Sequence, residues 1–323
     1  MVAGTRAMGK CLITGSAGHL GEAVMRVLAR RGDEAVGIDC KASAWTSATG
    51  SILDRSFVRA CMAGVDTVIH TATLHKPHIA MHAEEAFVET NVRGTLILLE
   101  EAVAAGVGAF VFTSTTSTFG AALSPPPGAP AAWIGEDVLP VPKNIYGVTK
   151  TAAEDLCALF ARRGQLPCIV LRTARFFPER DDDPTVAEAY QPLNAQANEL
   201  LYRRADIADV VDAHLRAAER AGRIGFGRYI VSATTPFEPR HAALLREDPH
   251  RVVAGLFPRY AHLYERAGWR IFDSIDRVYD NRLALRELGW RPRYDFAQVL
   301  AALEAGEDFR SPLARSVGSK GYL

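Results

Sequence analysis

The chain has 323 residues, 48% of them hydrophobic, so it can bury a large core as one domain or as a domain with a smaller lobe. Its 37 Lys and Arg residues balance 37 Asp and Glu residues, which disfavours nucleic-acid and membrane partners because these require a concentrated excess of cations. No apolar run approaches the about 20 residues of a membrane helix and residues 1–10 hold no apolar signal core, which leaves a cytoplasmic protein with a small-molecule partner as the expectation.

Short β-prone runs alternate with helical patterns along the first half of the chain. The alternation predicts an α/β fold, a Rossmann-type doubly wound parallel sheet with helices on both faces. The predicted strands are residues 10–14, 35–39, 67–70, 110–114 and 168–172, and the predicted helices are residues 20–31, 56–63, 83–105 and 145–162.

The rest of the chain is less regular. The proline-rich residues 124–142 are too many for an ordinary connection, so they predict a functional loop over the site. Residues 229–232 are predicted to return to the sheet as a strand. Residues 236–323 are predicted to be helical and irregular.

A glycine-rich turn follows the first predicted strand. Gly15, Gly18 and Gly21 suit a tight strand-to-helix turn, where bare backbone can approach a pyrophosphate and free N–H groups can bind it. Asp39 ends the second predicted strand, where a carboxylate would accept hydrogen bonds from the adenosine ribose and repel a 2′-phosphate. The pattern predicts NAD as the cofactor. Lys41 beside it could tolerate the extra phosphate of NADP, and Asp39 could instead only cap a turn.

Tyr146 and Lys150 lie four residues apart in a helix-compatible run, so both side chains project from one helix face. A free phenol has a pKa of about 10. The positive charges of Lys150 and of an oxidised nicotinamide would stabilise the phenolate. Such a tyrosine can take a proton from a substrate hydroxyl as hydride leaves and return it in the reverse step. The alternative is a buried pair with no chemistry.

Cysteine and histidine spacing gives no sign of a metal site or a disulfide framework. The five cysteines have no Cys-x-x-Cys pairing and are predicted to be buried free thiols, at Cys11, Cys40, Cys61, Cys157 and Cys168. Four histidines cluster on a predicted cofactor-facing loop without a carboxylate or cysteine at zinc spacing, namely His70, His75, His78 and His82. We therefore predict no metal.

Five motifs together resemble those of the extended short-chain dehydrogenase/reductase family, of the NAD-dependent epimerase/dehydratase type. The TGxxGxxG pattern is met at residues 14–21, and YxxxK is met at Tyr146 and Lys150. The patterns D-x-V-I-H-x-A, N-V-x-G-T and L-G-W-x-P are met at residues 66–72, 91–95 and 288–292. The resemblance covers nearly the whole chain and thins between residues 176 and 205. It also implies a homodimer joined through helices 83–105 and 145–162.

The resemblance implies a set of site residues. Thr115, Tyr146 and Lys150 would be catalytic, with Ser114 competing for the place of Thr115 one position away. Thr115 and Tyr146 would also contact substrate, together with Arg175. The adenine contact would rest on Ile52, because Ser51 stands where the family often has an acidic residue. The implied cofactor-binding residues are Gly15, Ala17, Gly18, His19, Leu20, Gly21, Asp39, Ile52, Ala72, Asn91, Thr113, Tyr146 and Lys150.

Departures from the family pattern bear on the reaction. Thr116 and Ser117 stand where sugar-nucleotide 4,6-dehydratases carry Asp-Glu, and hydroxyls cannot replace that acid and base, so 4,6-dehydration is disfavoured. Arg175 stands where related epimerases carry Asn, and its guanidinium would suit a substrate carboxylate or phosphate. An ion pair with the acidic residues 181–183 is an equal alternative. The family's glycine-rich nucleotide segment is missing before residues 202–204, which leaves nucleotide recognition open.

These features predict two lobes and a redox function. Residues 1–173, with a return strand near 206–233, would form an NAD-binding Rossmann domain, and residues 174–205 and 234–323 a smaller, discontinuous C-terminal substrate lobe. The predicted function is NAD-dependent epimerisation by hydride transfer at a secondary alcohol of a sugar-like substrate, nucleotide-linked or acidic. A simple NAD(P)-dependent dehydrogenase or ketoreductase that releases its cofactor each cycle is the alternative. An NAD-sensing regulatory protein is disfavoured, because Tyr146 and Lys150 are intact.

Overall fold

The computed structural model describes residues 9–179 and 184–321, and its centre is a seven-stranded parallel sheet. The strands are β1 (Cys11–Thr14), β2 (Ala35–Asp39), β3 (Ala48–Thr49), β4 (Thr67–His70), β5 (Ala109–Thr115), β6 (Ala132–Ile134), β7 (Cys168–Thr173), β8 (Phe226–Val231) and β9 (Arg277–Tyr279). Their order in the large sheet is β3-β2-β1-β4-β5-β7-β8, and β6 pairs with β9 separately. The strand order reverses between β1 and β4, where open α/β sheets bind ligands at the carboxyl ends of the strands.

Helices cover both faces of this sheet. The helices are α1 (His19–Arg31), α2 (Arg55–Cys61), α3 (Glu84–Phe87), α4 (Gly94–Ala104), α5 (Ile145–Arg162), α6 (Pro184–Ala189), α7 (Pro192–Glu199), α8 (Ile207–Ile224), α9 (Ala242–Glu247), α10 (Pro249–Leu256), α11 (Tyr260–Ala267), α12 (Arg282–Glu287), α13 (Phe296–Ala305) and α14 (Pro312–Val317). Helices α1, α8, α12 and α14 pack on one face, and α2, α4 and α5 pack on the other.

Successive residues of a strand pack against opposite faces of the sheet. In β1, Ile13 packs with α1 and α8, whereas Leu12 packs with α2, α4 and α5. In β5, Val111 and Phe110 divide in the same way. A strand buried on both faces needs apolar residues at every position, which is why these strands are continuous apolar runs. The predicted doubly wound parallel sheet is confirmed.

Two predicted segments differ from the structure in detail. The predicted helix 83–105 contains α3 and α4, joined by a π-helical turn at Val88–Arg93, a feature often found at functional sites. The predicted loop 124–142 contains β6, which pairs in parallel with β9 about 145 residues later. This pairing brings together segments that are far apart in the sequence, so no local sequence pattern predicts it. The return strand β8 begins at Phe226, three residues before its predicted start.

The remaining sequence expectations concern the thiols, the membrane and the domain division. All five cysteines are free, but Cys40 is exposed and Cys61 only half-buried, so the prediction of buried thiols is wrong for these two. Cys40 follows β2, where the chain has left the sheet. Within residues 9–179 and 184–321, no helix is long and apolar enough to cross a membrane. The division into two lobes at residue 173 stays a prediction.

Candidate active site

The turn from β1 into α1 is shaped by its glycines. Gly15 has a φ of +76°, and a Cβ atom there would lie 2.7 Å from the backbone nitrogen of Ala72. A Cβ on Gly21 would lie 2.0 Å from the carbonyl oxygen of Gly15, so only glycine lets α1 begin directly against the turn. Gly18 is the N-cap and has no side chain to cap the helix. The first N–H groups of α1 are therefore available to an anion, and the cradle fits a pyrophosphate.

Asp39 lies beside this turn at the end of β2. Its Oδ2 accepts a hydrogen bond from the backbone nitrogen of Ala17 at 3.0 Å, and its Oδ1 accepts one from the backbone nitrogen of Lys41 at 2.9 Å. The carboxylate thus caps its own loop and holds the glycine-rich turn. It stays half-exposed at the edge where the ribose is predicted to lie.

Replacing Asp39 with alanine is expected to weaken NAD binding and to reduce the preference for NAD over NADP. The change removes the predicted ribose acceptor together with a charge that repels a 2′-phosphate. Side-by-side fluorescence titrations with the two cofactors measure the effect. An unchanged preference would mean that the carboxylate only caps its loop and does not face the ribose.

Three other predicted cofactor residues lie around the carboxyl ends of β1 and β4. Ala72 donates its backbone N–H to Thr14 Oγ1 at 3.1 Å, which ties the two strand ends together. Ile52 is buried, and a Cβ on Gly94 would lie 2.6 Å from its Cδ1, so Ile52 packs tightly over the start of α4. The third residue, Asn91, uses its side-chain amide to link the loop after β4 to α5.

Asn91 uses both ends of its amide in this connection. Its Oδ1 accepts hydrogen bonds from Thr73 Oγ1 and the Leu74 backbone nitrogen, both at 2.9 Å. Its Nδ2 donates to the Leu74 carbonyl oxygen at 2.9 Å and to Thr149 Oγ1 at 3.1 Å. In this structure Asn91 therefore positions the loop that borders the predicted cofactor site, and a direct cofactor contact stays a prediction.

The end of β5 presents three hydroxyl residues with different partners. Thr113 Oγ1 lies 2.8 Å from His214 Nε2 on α8, so this predicted cofactor residue contacts the helix on one face of the sheet. Ser114 Oγ donates to Glu154 Oε1 at 2.6 Å on the other face. Thr115 Oγ1 accepts from the backbone nitrogen of Ser117 at 3.1 Å, and Thr115 is the residue that lowers the pKa of the Tyr146 phenol. Of the two candidates for the substrate-facing hydroxyl, the structure brings Thr115 and not Ser114 to the tyrosine.

Tyr146 begins the buried face of α5, and its side chain is 9% exposed. Burial raises the pKa of its phenol to about 12, and the hydrogen bond with Thr115 acts in the opposite direction. The predicted stabilisation of the phenolate, which combines the charges of Lys150 and of an oxidised nicotinamide, stays a prediction.

Lys150 lies one turn further along α5 and is almost completely buried. Its Nζ sits over the ring of Phe112 at 4.1 Å from the centroid, a cation–π contact with β5. Burial lowers the pKa of the ammonium to about 7, while the nearby Glu154 carboxylate raises it. The lysine therefore titrates near neutral pH and its charge depends on what surrounds it.

A buried carboxylate, Glu154, continues the same helix face one turn after Lys150. Its Oε1 accepts from Ser114 Oγ, and its Oε2 accepts from Arg172 Nη2 at 2.8 Å and from Arg228 Nε at 3.0 Å. This network locks α5 to β5, β7 and β8 beneath the tyrosine and lysine. The motif analysis missed Glu154. The available signal was a charged residue at the same helical spacing as Tyr146 and Lys150 on an otherwise apolar face.

The histidine cluster packs as rings beside the site. His75 lies 4.5 Å from His78 between ring centroids, and it stacks on Phe177 at 5.5 Å. Burial lowers the pKa of His75 to about 4, and His78 adds to this effect. His70 is fully buried, with its Nδ1 2.7 Å from Thr14 Oγ1. Among the residues that the structure describes, no group of three metal-ligating side chains converges.

His19 and Leu20 begin α1 and differ in their surroundings. Leu20 is buried in the core beneath the sheet. His19 packs edge-on against Phe177, with 5.3 Å between ring centroids, and its Nε2 lies 3.0 Å from Glu179 Oε1. The His19 side chain therefore joins the glycine-rich turn to the segment that follows β7.

Arg175 follows β7 and borders a cavity on the substrate side. Its Nη2 donates to the carbonyl oxygen of Glu179 at 3.3 Å, and its own carbonyl oxygen accepts from Ala205. The cavity is also lined by Glu179, Gln196 and Arg204. The alternative partners of Arg175, residues 181–183, lie outside the described residues, so the substrate role of Arg175 stays a prediction.

Comparison with known proteins agrees with this geometry. The sequence pattern of the NAD dependent epimerase/dehydratase family matches residues 11–230. A UDP-glucose 4-epimerase of Rhizobium leguminosarum bv. trifolii is 28% identical over 327 residues, which cover 90% of this chain and 94% of that protein. The protein y4nG of Sinorhizobium fredii is 31% identical over 167 residues, and the match covers 50% of this chain but only 39% of y4nG.

Solved structures give the same result. MoeE5 in complex with UDP-glucose and NAD superposes with a TM-score of 0.64 at 25% identity, over 96% of this chain and 100% of that chain. MoeE5 in complex with UDP-glucuronic acid and NAD gives the same TM-score and identity over 92% of this chain and 98% of that chain. The similarity therefore extends beyond the Rossmann sheet to the C-terminal part of the chain.

Proposed function

Because the chain belongs to the NAD dependent epimerase/dehydratase family, we propose that it is an NAD-dependent epimerase acting by hydride transfer at a secondary alcohol of a nucleotide-linked sugar. The observation that carries the proposal is the placement of Thr115 at the carboxyl end of β5, where it lowers the pKa of the Tyr146 phenol on α5, with buried Lys150 one turn along that helix. A buried tyrosine and a buried lysine with perturbed pKa values at the ligand-binding edge of such a sheet are typical of an acid–base site.

Each residue of the site has a separate role in the proposed reaction. When bound in this site, NAD would supply a hydride acceptor and a positive charge. The Tyr146 oxygen takes the proton of the substrate hydroxyl and later gives it back. Thr115 holds the reacting oxygen beside Tyr146, and charged Lys150 stabilises the phenolate. The glycine cradle would hold the pyrophosphate, and Asp39 the adenosine ribose.

The residues after β5 disfavour dehydration, and retention of the cofactor is the property that distinguishes epimerisation from net oxidation. Thr116 and Ser117 supply no acid and base for eliminating water. The alternative, a dehydrogenase that releases its cofactor each cycle, shares the same catalytic residues. Purifying the protein and measuring bound NAD by absorbance and mass separates the two, because an epimerase retains its cofactor between turnovers. The proposal would be contradicted if the protein were active only with added cofactor and oxidised or reduced that cofactor in stoichiometric amounts.

We propose further that the substrate carries an acidic group contacted by Arg175. Support comes from the position of Arg175 in the cavity wall and from MoeE5, which binds UDP-glucuronic acid as well as UDP-glucose. A guanidinium can bind a carboxylate through two parallel hydrogen bonds, which a neutral Asn cannot do. A UDP-linked uronic acid is the substrate class that we would test first.

Replacing Arg175 with asparagine is expected to raise KM for an acidic substrate by about 10- to 100-fold, the range for loss of a charge-assisted contact. A neutral analogue should be affected little, because it makes no such contact. Paired kinetics with UDP-glucuronic acid and UDP-glucose measure the difference. Equal losses on both substrates, or a fall in Tm that accounts for the lost activity, would assign Arg175 to a structural role.

A homodimer is proposed through the exposed side of α5 and the helix 83–105. These two elements pack side by side, joined by the hydrogen bond from Asn91 to Thr149. Their outer surface exposes apolar side chains, with Val88 45% exposed and Val148 50% exposed. A second copy of this chain would cover both valines. Light scattering at micromolar concentration should give twice the chain mass, and a monomeric mass would contradict the proposal.

We also propose a cytoplasmic location. The five cysteines are all free, as expected in a reducing compartment. Cell fractionation with an antibody against the protein tests this, and recovery from an oxidising compartment would contradict it.

A further inference from the structure

Glu179 joins three distant parts of the chain through one carboxylate oxygen. Its Oε1 lies 3.0 Å from His19 Nε2 and accepts from Ser319 Oγ at 2.7 Å. The backbone nitrogens of Lys320 and Gly321 donate to the same oxygen at 3.1 and 3.3 Å. Lys320 Nζ also contacts Glu22 in the first turn of α1. The tail residues 319–321 therefore fold back across the beginning of α1, beside the glycine-rich turn.

Among the described residues, the other oxygen of this carboxylate has no partner. Glu179 Oε2 is buried and makes no hydrogen bond with any described part of the chain. Burial raises the pKa of Glu179, but hydrogen bonds from His19 and Ser319 outweigh it and bring the pKa to about 2, so the group is ionised. A buried carboxylate oxygen without a donor is rare in native proteins, and it costs free energy that a ligand donor can recover.

Glu179 also lines the cavity that Arg175 borders. The other polar side chains that line the cavity are those of Gln196, Glu199 and Arg204. They provide an amide, a carboxylate and a guanidinium. The ionised carboxylate of Glu179 accepts hydrogen bonds and donates none, so it selects O–H and N–H donors. Within the proposed function, the hydroxyls of a sugar and of the cofactor ribose are donors of this kind.

We propose that Glu179 is a ligand-binding residue whose Oε2 accepts a hydrogen bond from a hydroxyl group of the bound sugar or cofactor, while its Oε1 anchors the tail residues 319–321. The proposal rests on the proposed function, because it takes its ligands from that function. It adds a specificity-determining residue to the cavity that Arg175 borders.

The test compares Glu179→Gln with Lys320→Met in the full chain. The glutamine amide can keep its oxygen toward the tail, but it then places an NH2 group where the ligand hydroxyl needs an acceptor. Lys320→Met removes the contact with Glu22 and leaves both Glu179 oxygens intact, so it controls for a loosened tail. Ser319→Ala is a second control, because it removes only one donor to Glu179 Oε1 from the clasp formed by Glu179 with His19 and residues 319–321. Thermal unfolding of all three variants separates folding effects from binding effects.

Two binding constants are measured for each variant, the KM for UDP-glucuronic acid and the Kd for NAD. Glu179→Gln should raise one of them by about 10- to 100-fold, with both control variants within about threefold of the wild type. A rise in KM alone identifies a sugar hydroxyl, and a rise in Kd alone identifies the ribose. If both constants stay within about threefold of the wild type, or if the controls lose as much as Glu179→Gln, the proposal is overturned while the assignment of Tyr146 stands.

Discussion

Replacing Tyr146 with phenylalanine is expected to lower kcat by about 100- to 10,000-fold while NAD binding persists. The change deletes one hydroxyl, the group that would exchange a proton with the substrate, and leaves the buried ring in place. The glycine cradle and Asp39 are untouched, so the cofactor keeps its contacts. Steady-state kinetics and an NAD titration on the same preparation measure both quantities.

A matched control is Tyr229→Phe, which removes a phenol hydroxyl from another buried ring. That hydroxyl donates to Glu287 Oε2 at 2.8 Å, at the surface beside α12. Its loss should leave kcat within about threefold of the wild type. Retention of more than about a tenth of wild-type activity by Tyr146→Phe would contradict the assignment of Tyr146 as the proton-transfer group.

Replacing Lys150 with methionine is expected to lower kcat by about 100-fold or more and, at the same time, to raise Tm by a few degrees at pH 6. Activity falls because the charge that stabilises the phenolate is lost. Stability rises because a similar unbranched apolar side chain replaces an ammonium that burial disfavours. An exposed control, Lys143→Met, should change neither quantity, since its Nζ only donates to Ser124 Oγ at the surface.

The pH dependence of this gain identifies its cause. With a pKa of about 7 in the folded protein and about 10.4 in the unfolded chain, Lys150 loses its proton in the folded state first. Between these values the unfolded chain binds more protons, so the wild type becomes more stable as pH rises. The advantage of Lys150→Met should therefore be largest below about pH 7 and should shrink toward pH 10. A gain in Tm that is equal at pH 6 and pH 9 would exclude charge burial as its cause.

The sequence predicted the parts of the molecule whose chemistry is local. The glycine-rich turn requires its residue types within one stretch of eight residues, and the spacing of Tyr146 and Lys150 is one helical turn. The alternation of apolar strands with helices predicted the sheet, because strands buried on both faces must be apolar throughout. Thr115 could be weighed against Ser114 only through a resemblance, and its effect on the pKa of Tyr146, with Ser114 bonded to Glu154 instead, now supports Thr115.

The parts that sequence could not predict depend on contacts between distant segments. The partners of Glu154 lie on three different strands, so its role is visible only when α5 is docked on the sheet. The clasp at Glu179 joins residues separated by 160 positions on one side and 140 on the other, as His19 and Ser319 show. The pKa of Tyr146 was predicted from nearby charges, whereas burial, which the sequence does not display, dominates in the protein alone.

Reversible hydride transfer between bound NAD and one carbon of a nucleotide-linked sugar can be followed with UDP-glucuronic acid carrying deuterium on the carbon of the reacting secondary alcohol. Mass spectrometry of the sugar and of the free cofactor locates the deuterium. The epimeric product is expected to retain the deuterium, with none in free cofactor, because the bound cofactor that removes the deuteride returns it within the same turnover. Deuterium that accumulates in released cofactor, or that is lost to water as the epimer forms, would rule out this mechanism.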